Sequence, residues 1–350
     1  MTGMKFTFRW YGENDRVTLK NIRQIPVIKG IVSALNDIPA GEVWALEGVM
    51  ALKKRVEESG LELSAIESIP VHEDIKLGGP ARDEYIENYC KSIRNIAKAG
   101  IRVLCYNFMP VFDWMRTDLN KTLPDGSSCL AFNDGELAAI VNKMEKLDMP
   151  AWAQSYTREK LMLMLETYKG VTDEDMWANL GYFLKAVVPV AGEYGVRMGI
   201  HPDDPPWPIM GLPRIITGET ALARLLAIVD SPFNGITLCT GSLGPPPEND
   251  LCEIIKRFKG RIPFVHARNI ERSGLRSFNE TAHPSTSGSL DMYEIMKALY
   301  ETGFDGIIRP DHGRMIWGEN GKPGYGLYDR ALGVMYLAGL WEAIVKTSGE

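Results

Sequence analysis

Four segments of this 350-residue chain each carry a residue able to bind a metal ion: Gly199-Ile200-His201-Pro202-Asp203-Asp204, Leu238-Cys239-Thr240-Gly241, Val265-His266-Ala267-Arg268-Asn269, and Arg309-Pro310-Asp311-His312-Gly313-Arg314. The candidate donors are His201, Cys239, His266 and Asp311. They recur about one strand-plus-helix unit apart, unlike the ligands of a small structural zinc site, which pair two to four residues apart. Donors one strand apart meet only if the sheet curls. Two imidazoles, a thiolate and a carboxylate bind a divalent transition ion and leave a position open for substrate. Taken singly, a histidine is more often a hydrogen-bonded structural residue, which is the expectation for His283, and an isolated cysteine is more often core, as for Cys105.

The elements that must position these donors follow from two alternating periods. Ile86, Tyr89, Ile93 and Ile96 mark one face of a helix ending at Gly100, and the apolar run IRVLCYNF follows at once. The same glycine junction recurs at Gly60, Gly195 and Gly303, where a left-handed residue ends each helix. Eight strand candidates result: MKFTFRWY, IKGIVSAL, LELSAIES, IRVLCYNF, VRMGIH, GITLCT, RIPFVHA and FDGIIRP. Strands separated by helices pair in parallel, and eight such units predict one closed (β/α)8 TIM barrel spanning residues 1–350. No GxGxxG follows the first strand, which argues against a dinucleotide-binding sheet. The stretch 111–172 is too long for a bare loop, and its helical pattern around Glu136 to Met149 predicts a helical insertion after the fourth strand.

Composition narrows the function. The chain carries 45 acidic and 39 basic residues, a net charge of −6, with both signs interleaved. That predicts no nucleic-acid partner. The first residues have no apolar signal core and no segment is long and apolar enough for a membrane, so a cytoplasmic protein is expected. Five dispersed cysteines without a CxxC pair argue against disulfides. The insertion and the terminal helix make a homo-oligomer, a dimer, the expected assembly.

With GIHPDDPP, LCTGS, VHARN, RPDHGR and the initial KFTFRWYG in place, the chain resembles the mannonate dehydratases, of the xylose-isomerase-like barrel group, over nearly its whole length. The resemblance implies conversion of D-mannonate to 2-keto-3-deoxy-D-gluconate and water in hexuronate breakdown, with Mn²⁺ or a similar divalent ion. It matches His201, Cys239, His266 and Asp311 to metal ligands and places His312 and Tyr325 near the reacting carbons. Fe²⁺, Co²⁺ and Zn²⁺ also suit a donor set containing cysteine.

Such a dehydration takes a weakly acidic proton from C2 and must protonate the departing C3 hydroxyl, so two protic groups are needed. The expectation is Tyr325 as base at C2 and His312 as acid at C3, the reverse staying open. A tyrosine base has to be ionised by nearby cations, for which Arg309, Arg314 or the metal are candidates. Tyr325 lies in GENGKPGYG, whose glycines predict a loop able to close over substrate. Arg9, Arg268 and Arg309 are expected to bind the carboxylate, and Trp10, His72, Asn107 and Asp203 the hydroxyls. The rival readings are an aldose-ketose isomerase on the same barrel, a metal-dependent nuclease and a non-catalytic sugar-acid binder. An isomerase of this kind usually gathers several carboxylates around two ions, where here the sixth strand ends in Cys239.

Overall fold

The computed structural model describes residues 3–145 and 158–349. Twelve strands occur among them: β1 Lys5–Arg9, β2 Gly30–Ser33, β3 Glu62–Glu67, β4 Val103–Tyr106, β5 Asp118–Thr122, β6 Ser128–Asn133, β7 Arg197–Ile200, β8 Asn234–Cys239, β9 Phe264–His266, β10 Ile270–Gly274, β11 Ser277–Glu280 and β12 Ile307–Arg309. Eight of them close a barrel in the order β1-β12-β9-β8-β7-β4-β3-β2, and every barrel pairing is parallel. These eight are the strands read from the sequence. A parallel neighbour can be reached only by a crossover, and the helices between them make that connection.

The helix predicted before Gly100 runs Arg82–Lys98 and buries Ile86, Tyr89, Ile93 and Ile96. Gly100 and Gly303 stand at φ of 86° and 69°, a left-handed conformation that costs glycine least because it has no Cβ, and a strand follows each. The inner barrel layers are small and tight: Val32, Ala65, Cys105, Phe264 and Ile307 form a closed cluster, so Cys105 is a core residue. Thr172 caps the helix Asp173–Glu193 through a reciprocal bond with Asp175, which sets where the insertion ends.

The insertion differs from its expected helical character. It opens with the hairpin β5–β6 before the helices Asp134–Glu145 and Arg158–Thr167. The end of the helical pattern, 146–149, and Trp152 lie outside the described residues. Hairpin β5–β6 joins hairpin β10–β11 in a four-stranded antiparallel sheet, order β10-β11-β6-β5, packed beside the barrel mouth. Phe132, Phe278 and Trp207 pack there ring against ring. The sequence hides this sheet because β5, DLNKT, is a polar edge strand with no apolar alternation.

Candidate active site

The register of the barrel levels the functional side chains. Cys239 pairs with His266 and His266 with Arg309 across β8, β9 and β12, while His201 directly follows β7 and donates its backbone N–H to Tyr106. One donor atom each from His201, Cys239 and His266 comes within 4.8 Å of the others. Asp311 borders two of them, with Oδ2 3.6 Å from Cys239 Sγ and Oδ1 3.8 Å from His266 Nδ1. Its backbone is left-handed, φ 55°, which aspartate tolerates better than most residues. Its carboxylate also meets Arg268 Nε at 2.7 Å and Arg309 Nη2 at 2.8 Å.

Electrostatics prepare this cluster for a cation. Burial works against a charge on Cys239, but Arg268 and His201 hold its thiol well below the ordinary range. Burial likewise opposes a charge on His201, yet the neighbouring Cys239 thiolate, Asp311 and Glu67 push its imidazole up to about 9. The two shifts support each other, since negative charge on Cys239 favours positive charge on His201 and the reverse. His201 Nδ1 lies 2.7 Å from the Pro202 carbonyl, so Nδ1 donates there and Nε2 is the nitrogen left for a ligand. His266 is fully buried, and its Nε2 stands 3.4 Å from Glu67 Oε1 without a well-formed hydrogen bond among the described residues. These residues fit a divalent transition ion. A second set, Glu67, Cys105 and His266, is equally close. Burial holds the Cys105 thiol well above its ordinary value, and a neutral thiol is a poor ligand.

His312 and Tyr325 meet beside this cluster. His312 Nε2 is 2.6 Å from Tyr325 Oη, and the two rings pack edge to face. Burial, then Tyr11 and Asp311, raise the Tyr325 phenol well above its ordinary value against the pull of Arg309. Arg314 does not supply the expected field, because it is paired with Asp125 and Asp329. The glycine-rich segment is anchored by the buried Arg330, which donates to the backbone carbonyls of Tyr325, Gly326 and Arg9. A cavity of about 1130 Å³ opens over these groups, lined among others by Arg9, Tyr11, Trp114, Arg309, His312 and Tyr325.

The expected substrate contacts divide. Arg309 lines the cavity, and its Nε and Nη1 have no hydrogen-bond partner among the described residues, while Nη2 bonds Glu67 at 2.9 Å. Arg9 lines the cavity with its Nη1 toward the Trp10 and Val32 carbonyls. Arg268 also reaches the cavity, but Asp204, Glu280 and Asp311 engage its guanidinium, so it acts as a hub for acids and not as a free clamp. Asn107 lines the cavity while its amide bonds Asp113 and the Met109 N–H.

Three residues are corrected by the structure. Trp10 points into the hydrophobic core, because strand alternation sends Arg9 and Tyr11 to the cavity and the residue between them the other way. His72 caps the helix Glu73–Leu77 through Nδ1 and stacks on Tyr85. Asp203 is buried against the Ile216 N–H and Arg214, and its neighbour Asp204 faces the cavity. His283 donates its Nε2–H to the Pro310 carbonyl at 2.7 Å, in the structural role expected for it. Tyr11 lies on the same side of the chain as Arg9, but only the fold fixes that this side faces the cavity. Glu67, Arg116 and Glu280 carried no local signal.

Comparison with known proteins identifies the family. The D-mannonate dehydratase (UxuA) family model matches residues 4–349. A mannonate dehydratase of Thermotoga neapolitana is 57% identical, over 98% of both chains. One of Streptococcus uberis is 56% identical, over 99% of this chain and all of its own. The crystal structure of mannonate dehydratase from Streptococcus suis superposes with a TM-score of 0.92 at 51% identity, covering 99% of this chain and 96% of that one. An L-ribulose 3-epimerase, 13% identical at a TM-score of 0.56, shares the barrel fold alone. With a family model spanning nearly its full length and relatives above half identity throughout, this chain belongs to the D-mannonate dehydratase family.

Proposed function

We propose that the chain is a metal-dependent hydro-lyase that converts D-mannonate to 2-keto-3-deoxy-D-gluconate and water in hexuronate breakdown. The observation that carries this reading, beside family membership, is the His312–Tyr325 contact of 2.6 Å at the edge of a thiolate-bearing donor cluster. His201, Cys239, His266 and Asp311 would hold the ion, Mn²⁺ in this reading, with Fe²⁺ or Co²⁺ as substitutes. When bound, such an ion neutralises charge that develops on the substrate beside its carboxylate.

The chain's own residues move the protons. The ground state keeps a proton on Tyr325, so passing it along the 2.6 Å contact to His312 Nε2 creates a tyrosinate and an imidazolium together. Tyr325 then takes the C2 proton, and the C2–H electrons form the C2=C3 bond. The C3–O bond breaks, and His312 protonates the leaving oxygen to give water. The enol becomes the 2-keto acid, and the pair ends with the protons it began with. Arg309 offers its unpartnered N–H groups to the substrate carboxylate, and Arg9 adds positive charge to the same wall.

A cytoplasmic location and a dimer belong to the same reading. No helix among the described residues is long and apolar enough to cross a membrane. Exposed Trp317, Tyr328, Leu332 and Met335 offer a second copy an apolar surface. The test of the activity is a screen of hexonates for keto-acid release with metal-stripped protein and each ion restored in turn. Release from D-mannonate that depends on the ion is expected. Isomerisation, or binding of mannonate without keto acid, would overturn the reading.

A further inference from the structure

Glu280 closes β11, a strand of the side sheet and not of the barrel. Its buried carboxylate stands 2.8 Å through Oε1 and 2.9 Å through Oε2 from His312 Nδ1. Arg116 donates to Oε1 from Nε at 3.2 Å and Nη2 at 2.8 Å, and Arg268 Nη1 donates to the same oxygen. Both guanidinium groups are themselves fixed by Asp204, Arg116 in a two-pronged pair at 2.7 and 2.9 Å and Arg268 at 2.8 Å. The acid behind His312 is therefore held in one place by two arginines that are held in turn.

The direction of the Glu280–His312 bond follows from these distances. Arg268 Nη1 also lies 3.1 Å from His312 Nδ1. Were Nδ1 to accept that N–H, its lone pair would face two carboxylate oxygens in a buried site, acceptor against acceptor. Nδ1 therefore carries a proton and donates it to Glu280. Burial alone would raise the Glu280 carboxyl, but Arg268, His312 and Arg116 bring it down to about 2, so it stays an acceptor.

We propose that Glu280 is a positioning residue for the dehydration: from outside the barrel it holds His312 by Nδ1 and so aims Nε2 at the Tyr325 hydroxyl. This rests on the dehydratase reading above. It also gives the side sheet a chemical task, since β11 is placed by β6 and β10, with Phe278 opposite Phe132 and Ile270 opposite Glu280. An imidazole without this partner could rotate or change tautomer, and the 2.6 Å contact would be lost from the reactive population.

The test compares wild type with E280Q for keto-acid release from D-mannonate, together with metal content and thermal midpoint. The variant is expected to lose kcat by about 10²-fold while KM and metal content stay within about twofold. A merely structural role would instead lower the thermal midpoint and the metal content along with kcat, and that outcome overturns the proposal. So does a kcat within about threefold of wild type. Should E280Q fail to fold, E280D takes its place: it keeps the charge that Arg116 and Arg268 need but withdraws the carboxylate by one methylene. A kcat loss of about tenfold or more with KM kept supports the proposal, and an unchanged kcat overturns it. A wild-type protein that releases no keto acid would overturn the dehydratase reading itself, and this inference with it.

Discussion

His312 Nε2 and Tyr325 Oη share a 2.6 Å hydrogen bond although they arrive from different parts of the mouth, His312 from the end of β12 and Tyr325 from the glycine-rich segment beyond it. Neither is among the metal-type donors, so chemistry and ion binding can be separated by substitution.

Y325F and H312N are each expected to lower turnover of D-mannonate by about 10²-fold or more while leaving bound metal unchanged. Keto-acid release and metal analysis on the same preparations check this. A variant that keeps near-normal turnover removes its residue from the proton path.

C239S is expected to weaken metal binding by at least about tenfold, since serine supplies no thiolate at neutral pH. The same cluster predicts a pH dependence. His201 holds its proton up to about 9 in the metal-free protein, so an ion binding at neutral pH must displace that proton. Metal affinity should rise with pH through the neutral range and fall as pH drops, and calorimetry in buffers of different ionisation enthalpy should show about one proton released. Affinity independent of pH from 6 to 8, on the order of one proton's effect absent, would contradict the assignment.

His72 caps a helix and does not line the cavity, so H72N should be nearly silent. Asparagine is a good N-cap, and the expected stability change is below about 1 kcal/mol. Steady-state kinetics should give kcat and KM close to wild type. A large rise in KM would return His72 to the substrate site.

Gly324 stands at φ 79°, and a Cβ there would lie 2.6 Å from Leu130 Cδ1 and 3.7 Å from His312 Cγ. G324A should cost about 1–2 kcal/mol for the left-handed backbone alone, and it should displace Tyr325 from His312. The expected result is a fall in kcat with metal content preserved, read by kinetics and metal analysis.

The sequence by itself determined the barrel and the placing of His201, Cys239, His266 and Asp311 at or just beyond its strand ends. The reason is local: periodicity identifies strand and helix, and a closed parallel barrel brings every strand end to one mouth. Thus His201, Cys239, His266 and Asp311 could be named from their places at strand ends. Only the tertiary structure decided which neighbour faces the cavity, Tyr11 and not Trp10, Asp204 and not Asp203, because that depends on where pleat and loop turn each side chain. It likewise decided that Arg268 is spent on Asp204, Glu280 and Asp311, and that β11 carries Glu280 to His312. Those contacts join segments far apart in the chain through a side sheet whose edge strand is polar, and no local pattern records such pairing.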